Sequence, residues 1–131
     1  MAARITVVND NPEFLELVRD ILEDERYATT TIDGDSEDTF ERVIESRPDL
    51  LILDLRLGTD ALHGWDIAQR LRREPALEDI PVIICSADVP ALQALADEVA
   101  GIKAVRTLAK PFAIGELIDA VDASLDEATP G

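Results

Sequence analysis

The chain has 131 residues, 47% of them hydrophobic, with 28 acidic against 12 basic side chains and a formal net charge of −16. That length suits one domain able to bury a core without disulfides or a structural metal, and the charge argues against nucleic acid and anionic membrane surfaces as direct partners, because both are bound through basic patches. Plain solubility, a high-salt habitat and attraction to a basic partner are all compatible with such an acidic excess.

In chain order, the apolar run Ile5 to Val8 predicts a buried strand. It leads through Asn9 and Asp10 to a helix with Asn11 as cap and Pro12 at its first position, whose apolar stripe is Phe14, Leu15, Val18, Ile21 and Leu22. Tyr27 to Ile32 predicts a second strand, and Ser36 the cap of a second helix with Phe40, Val43 and Ile44 on its inner face. Pro48 disfavours helix at Arg47. Leu50 to Leu53 is the third strand, followed by a helix carrying Trp65, Ala68 and Leu71. Val82 to Cys85 is the fourth, and the lone Cys85 rules out an internal disulfide, reads as a small buried hydrophobe and is compatible with a reducing compartment. An alanine-rich helix with Leu92, Leu95 and Val99, a weaker strand from Ala104 to Leu108, and a helix with Ile114, Leu117, Ile118, Val121 and Leu125 complete the pattern. The expectation is one domain over residues 1–127 and a disordered tail over 128–131. No stretch approaches membrane-spanning length and "MAARITVV" lacks a cleavable apolar leader, so a cytoplasmic location is expected.

Strands that read as unbroken apolar runs are buried on both faces, which predicts a doubly wound α/β domain with a parallel sheet between helical layers. Ligands of such sheets bind beyond the carboxyl ends of the strands. The polar residues at those ends are Asn9 and Asp10, Asp54, Ser86, and Lys110 followed by Pro111. Two carboxylates, a hydroxyl and a lysine suit phosphoryl transfer with a divalent cation, with Asp54 as the natural nucleophile.

The segments "VVNDNP", "LLILDLRLG", "ICSAD" and "LAKPF" resemble, in order and spacing, the four motif positions of response-regulator receiver domains of the CheY-like superfamily. The resemblance covers essentially the whole chain. It implies a flavodoxin-like three-layer sandwich of five helices and a five-stranded sheet in the order 2-1-3-4-5. It further implies that Asp54 accepts a phosphoryl group from a histidine kinase or histidine phosphotransfer protein. Mg²⁺ would be held by Asp10, Asp54 and the backbone carbonyl of Arg56, with Asn9 reaching it through water. Ser86 would donate to a phosphoryl oxygen and Lys110 would pair with Asp54 or its phosphate. The product would be a switched protein-interaction surface around the fourth helix, on a monomer or weak dimer, with slow autodephosphorylation as the only chemistry. The physics is economical: the phosphorus arrives already activated, so the protein positions the reactants and neutralises charge.

Three departures from the family pattern carry expectations. Receivers usually show two acids where this chain has Asn9-Asp10. Counting Asp10, Asp54, Mg²⁺ and Lys110 gives a charge of about +1, falling to about 0 once a phosphorylated Asp54 near −2 replaces the carboxylate's −1. Asn9 is therefore expected to weaken metal binding, so that phosphorylation is impaired at low Mg²⁺ and not abolished. The loop from Asp54 to Gly64 is lengthened and has Gly58 where the family commonly has proline. Its Asp60 reads as a turn residue, and its His63, the only histidine, as an exposed loop residue near a helix start sooner than as a phosphate contact or pH sensor. Thr107 occupies the place of the family's switch aromatic. Arg56 and Asp88 could bridge over the site or be independently solvated.

Two other readings stand beside the phosphoacceptor. One is an unphosphorylated pseudo-receiver that acts as a docking module, which Asn9 and Thr107 favour. The other, an aspartyl-nucleophile phosphatase, needs a second acid where Arg56 lies. Nucleotide binding is disfavoured because no glycine-rich phosphate loop follows the first strand.

Overall fold

The computed structural model describes residues 3–34, 38–55, 63–75, 77, 79–99 and 105–128. Five strands, β1 (Arg4–Asn9), β2 (Ala28–Asp33), β3 (Leu50–Asp54), β4 (Val82–Ser86) and β5 (Val105–Ala109), alternate with five helices, α1 (Pro12–Asp24), α2 (Thr39–Ser46), α3 (His63–Leu71), α4 (Val89–Val99) and α5 (Ile114–Ala128). All neighbouring strands pair in parallel in the order β2-β1-β3-β4-β5, as the resemblance implies.

Side chains alternate across the sheet and build a core on each face. Ile5, Val7, Leu50, Ile52, Ile83 and Cys85 point to one side, where Val18 and Leu22 of α1 and Leu117 and Val121 of α5 cover them. Leu51, Leu53, Val82 and Ile84 point to the other, against α2, α3 and α4 through Val43, Trp65, Leu71, Leu92 and Leu95. Strands β1, β3 and β4 are thus buried on both faces, which their unbroken apolar runs require, whereas the edge strands β2 and β5 are only half-buried.

Observed strands run one residue past the apolar runs, because Asn9, Asp33, Asp54 and Ser86 still sit within the ladder. Asn11 caps α1 as expected, its side chain accepting from the backbone N–H groups of Glu13 and Phe14. The cap of α2 is corrected: the helix begins at Thr39 after Asp38, whose carbonyl accepts from Arg42 N–H, while the Thr39 hydroxyl holds the Asp33 carbonyl. Ser36 lies outside the described residues. Arg47 takes a left-handed conformation (φ 49°) immediately before Pro48, which ends α2 where expected. Ile114 is corrected too. At the first position of α5 it is 58% exposed and lines an open groove with Ile21 and Ile118 under an acidic rim of Asp20, Asp24 and Glu25. Helix α5 reaches Ala128, and no helix among the described residues is long and apolar enough to cross a membrane.

Candidate functional site

Because all five strands run the same way, their carboxyl ends share one edge, and Asn9, Asp54, Ser86 and Lys110 meet there. Asp54 ends the central strand and its side chain is 11% exposed. Its Oδ2 accepts from two donors: Lys110 Nζ at 2.5 Å and Asn9 Nδ2 at 2.9 Å. The carboxylate is therefore already paired with a cation, arriving 56 residues later in the chain. Asn9 is 1% exposed. Its other amide atom, Oδ1, accepts the Asn11 N–H at 2.8 Å, so both ends of the side chain are bonded within the protein. Asp10, by contrast, is exposed.

On the far side of β3, the Ser86 hydroxyl is buried and accepts the Asp88 N–H at 3.0 Å. Asp88 Oδ1 in turn accepts Ala91 N–H at 3.1 Å, capping α4. Lys110 N–H donates to the Ser86 carbonyl at 2.9 Å, which keeps the lysine backbone in register with β4. The Lys110 ammonium also lies 4.2 Å from the centroid of the Phe14 ring, on α1, and Phe112 meets that ring edge-on at 6.2 Å. Between Asp54 and Ser86, Cys85 is buried and its thiol is pushed up to about 12 by burial. It is the inert hydrophobe expected.

Asn9, Asp54, Ser86 and Lys110 are thus brought to one edge, with Asp10 following β1. Arg56, Gly58 and Asp60 lie outside the described residues; His63 opens α3, but its side chain lies outside them also. Thr107 sits on β5 opposite Ile84. Two residues escaped the sequence reading. Phe14 reads there only as a member of the core stripe of α1, and Phe112 has no periodic signal at all. The short spacing from Asn11 to Phe14 within "NPEF" puts that ring in the first turn of the helix, beside the strand ends.

The donor set can be set against a divalent cation. Among the described residues there is no group of three or more acidic, histidine or cysteine side chains able to hold a metal. Mg²⁺, however, retains several waters and takes one or two carboxylates, so Asp10 and Asp54 fit it, with less anionic charge than a third acid would give.

The family profile described as Response regulator receiver domain matches residues 5–122. The chain is 33% identical over 127 residues to the DNA-binding response regulator MtrA of Mycolicibacterium smegmatis, covering 95% of this chain and 51% of that protein. It is 34% identical over 136 residues to the phosphate regulon transcriptional regulatory protein PhoB of Rhizobium meliloti, covering 99% and 55%. This chain spans about half the length of these curated relatives. Its fold superimposes on the Vibrio cholerae chemotaxis protein CheY4 with a TM-score of 0.80 at 18% identity, covering 95% of this chain and 99% of that one. With four strand-end motifs gathered on one edge of a 2-1-3-4-5 sheet, the chain belongs to the response-regulator receiver-domain family.

Proposed function

We propose that the domain takes a phosphoryl group from a histidine kinase or histidine phosphotransfer protein onto Asp54 and thereby switches a protein-interaction surface. The observation that carries this reading is the pairing of a nearly buried Asp54, at the end of the central strand, with Lys110. A carboxylate oxygen of Asp54 attacks phosphorus, an O–P bond forms, and the N–P bond to the donor imidazole breaks. Lys110 offsets charge on the phosphoryl oxygens throughout, and Asn9 keeps the carboxylate oriented. Asp10, Asp54 and the Arg56 carbonyl would hold Mg²⁺, with Asn9 acting through water; when bound, it supplies further neutralisation of the phosphoryl oxygens. Ser86 accepts from Asp88 N–H through its oxygen, so its O–H hydrogen can turn to a phosphoryl oxygen without surrendering that bond. Drawing Ser86 inward pulls on Asp88 and hence on the capped start of α4.

The chemistry beyond acceptance is slow hydrolysis of the acyl phosphate, which makes the domain a signalling module. A nucleic-acid contact of the kind named for the MtrA relative is not assigned to this domain, whose charge of −16 repels phosphate backbones. A second reading, a pseudo-receiver that docks unphosphorylated, is favoured by one observation: Asn9 already donates to Asp54, so the acceptor is satisfied without metal. Intact mass after incubation with acetyl phosphate separates the two. A Mg²⁺-dependent gain of one phosphoryl group that Asp54→Ala abolishes supports the acceptor; no gain at any Mg²⁺ concentration rejects it in favour of the pseudo-receiver.

A further inference from the structure

Five contacts close a ring through the acceptor. Asp54 Oδ2 accepts from Asn9; Asn9 accepts from Asn11 N–H; Asn11 Oδ1 accepts from Phe14 N–H at 3.3 Å; the Phe14 ring faces the Lys110 ammonium; and Lys110 returns to Asp54. Lysine is a flexible point charge with a long stem, and the Lys110 side chain is 22% exposed, so water competes for its ammonium. The carboxylate constrains that ammonium from one direction only. The electron-rich face of Phe14, fixed by the helix cap and braced by Phe112, constrains it from a second.

We infer that Phe14 is a positioning residue for Lys110: its aromatic face, and not merely its apolar bulk, holds the ammonium beside Asp54 ready for an incoming phosphoryl group. The consequence for phosphorylation rests on the function proposed above; the placement of the ammonium does not.

The sequence contains just two lysines, Lys103 and Lys110, which makes the test direct. A proton above an aromatic face is shifted upfield, so the Hε protons of Lys110, assigned with Lys110→Ala, should resonate upfield of those of Lys103 in the wild type and in Phe14→Tyr. In Phe14→Leu, which keeps the bulk, the shift should collapse. Initial phosphorylation by acetyl phosphate with Mg²⁺ should fall about 3- to 10-fold in Phe14→Leu and be restored in Phe14→Tyr. If Phe14→Leu does not fold, Phe14→Met takes its place. Coincident lysine signals in the wild type, or equal rates in Phe14→Leu and wild type, would overturn the inference. A wild type that shows the upfield shift but never gains phosphate would reject the acceptor reading and leave the positioning supported.

Discussion

Strands β1 and β4 flank β3 on either side, and each ends in the same small construction. A buried polar side chain, Asn9 or Ser86, accepts the N–H two residues on, and that residue caps the following helix through its own side chain. The arms differ in one atom type. Asn9 carries an amide donor already committed to Asp54, while Ser86 carries a hydroxyl hydrogen that rotates freely about its C–O bond. One strand end therefore grips Asp54 as it stands, while the other keeps a hydroxyl hydrogen able to turn, as the proposed function requires. An amide in place of a carboxylate at Asn9 strengthens the grip while removing charge from the site.

The difference can be broken most severely at Asn9. Asn9→Ala leaves the Asn11 N–H without its acceptor and takes from the nearly buried Asp54 a donor it has besides Lys110, so urea unfolding should show a loss of about 2–3 kcal/mol. Asn9→Asp keeps an acceptor for Asn11 but sets two carboxylates together, and Mg²⁺ should raise its Tm by more than it raises that of the wild type. An equal Mg²⁺ effect on both would mean that residue 9 does not govern metal affinity. Next in size are the caps. Asn11→Ala removes the partner of two N–H groups and should cost about 1–2 kcal/mol, against about 1 kcal/mol for Asp88→Ala, which serves Ala91; a reversed order would show that the α4 arm is the more rigid.

The smallest effect lies away from both arms and serves as a control. The Tyr27 hydroxyl donates to Asp122, which together with burial holds the phenol up at about 12 from its usual 10.0. The protonated phenol is the form that the fold favours. Its contribution is complete below pH 10 and is lost as pH rises toward 12. Tyr27→Phe should cost under about 1 kcal/mol at neutral pH and lose that part of the alkaline decline. Cys85 adds a decline of the same sign, so the wild-type and Tyr27→Phe curves must be compared directly.

The core was legible because burial on both faces leaves its mark as unbroken apolar runs, as in Leu50–Leu53 and Val82–Cys85. Strand order was not readable from periodicity; it came through the motif resemblance. Asn9 was legible as an oddity, but its two bonds were not, since one partner lies 45 residues away and amide orientation depends on three-dimensional neighbours. Phe14 illustrates the same limit. Helical spacing says that a ring belongs to the inner stripe, and cannot say that the first turn of α1 faces a lysine brought in by the last strand. Ile114 fits the periodic stripe of α5 and is nevertheless exposed, because at the first position of that helix it lines an open groove with Ile21 and Ile118.

The pairing of Asp54 with Lys110 also bears on assembly of the fold. Every strand contact here joins segments separated by a whole helix, and Lys110 sits just after β5, the last of these five strands in chain order. A chain cut short before that strand would present Asp54 with the Asn9 amide beside it and without Lys110. The Lys110–Asp54 pair thus forms only once β4 and β5 have joined β3, so that one ion pair marks the closing of this five-stranded sheet.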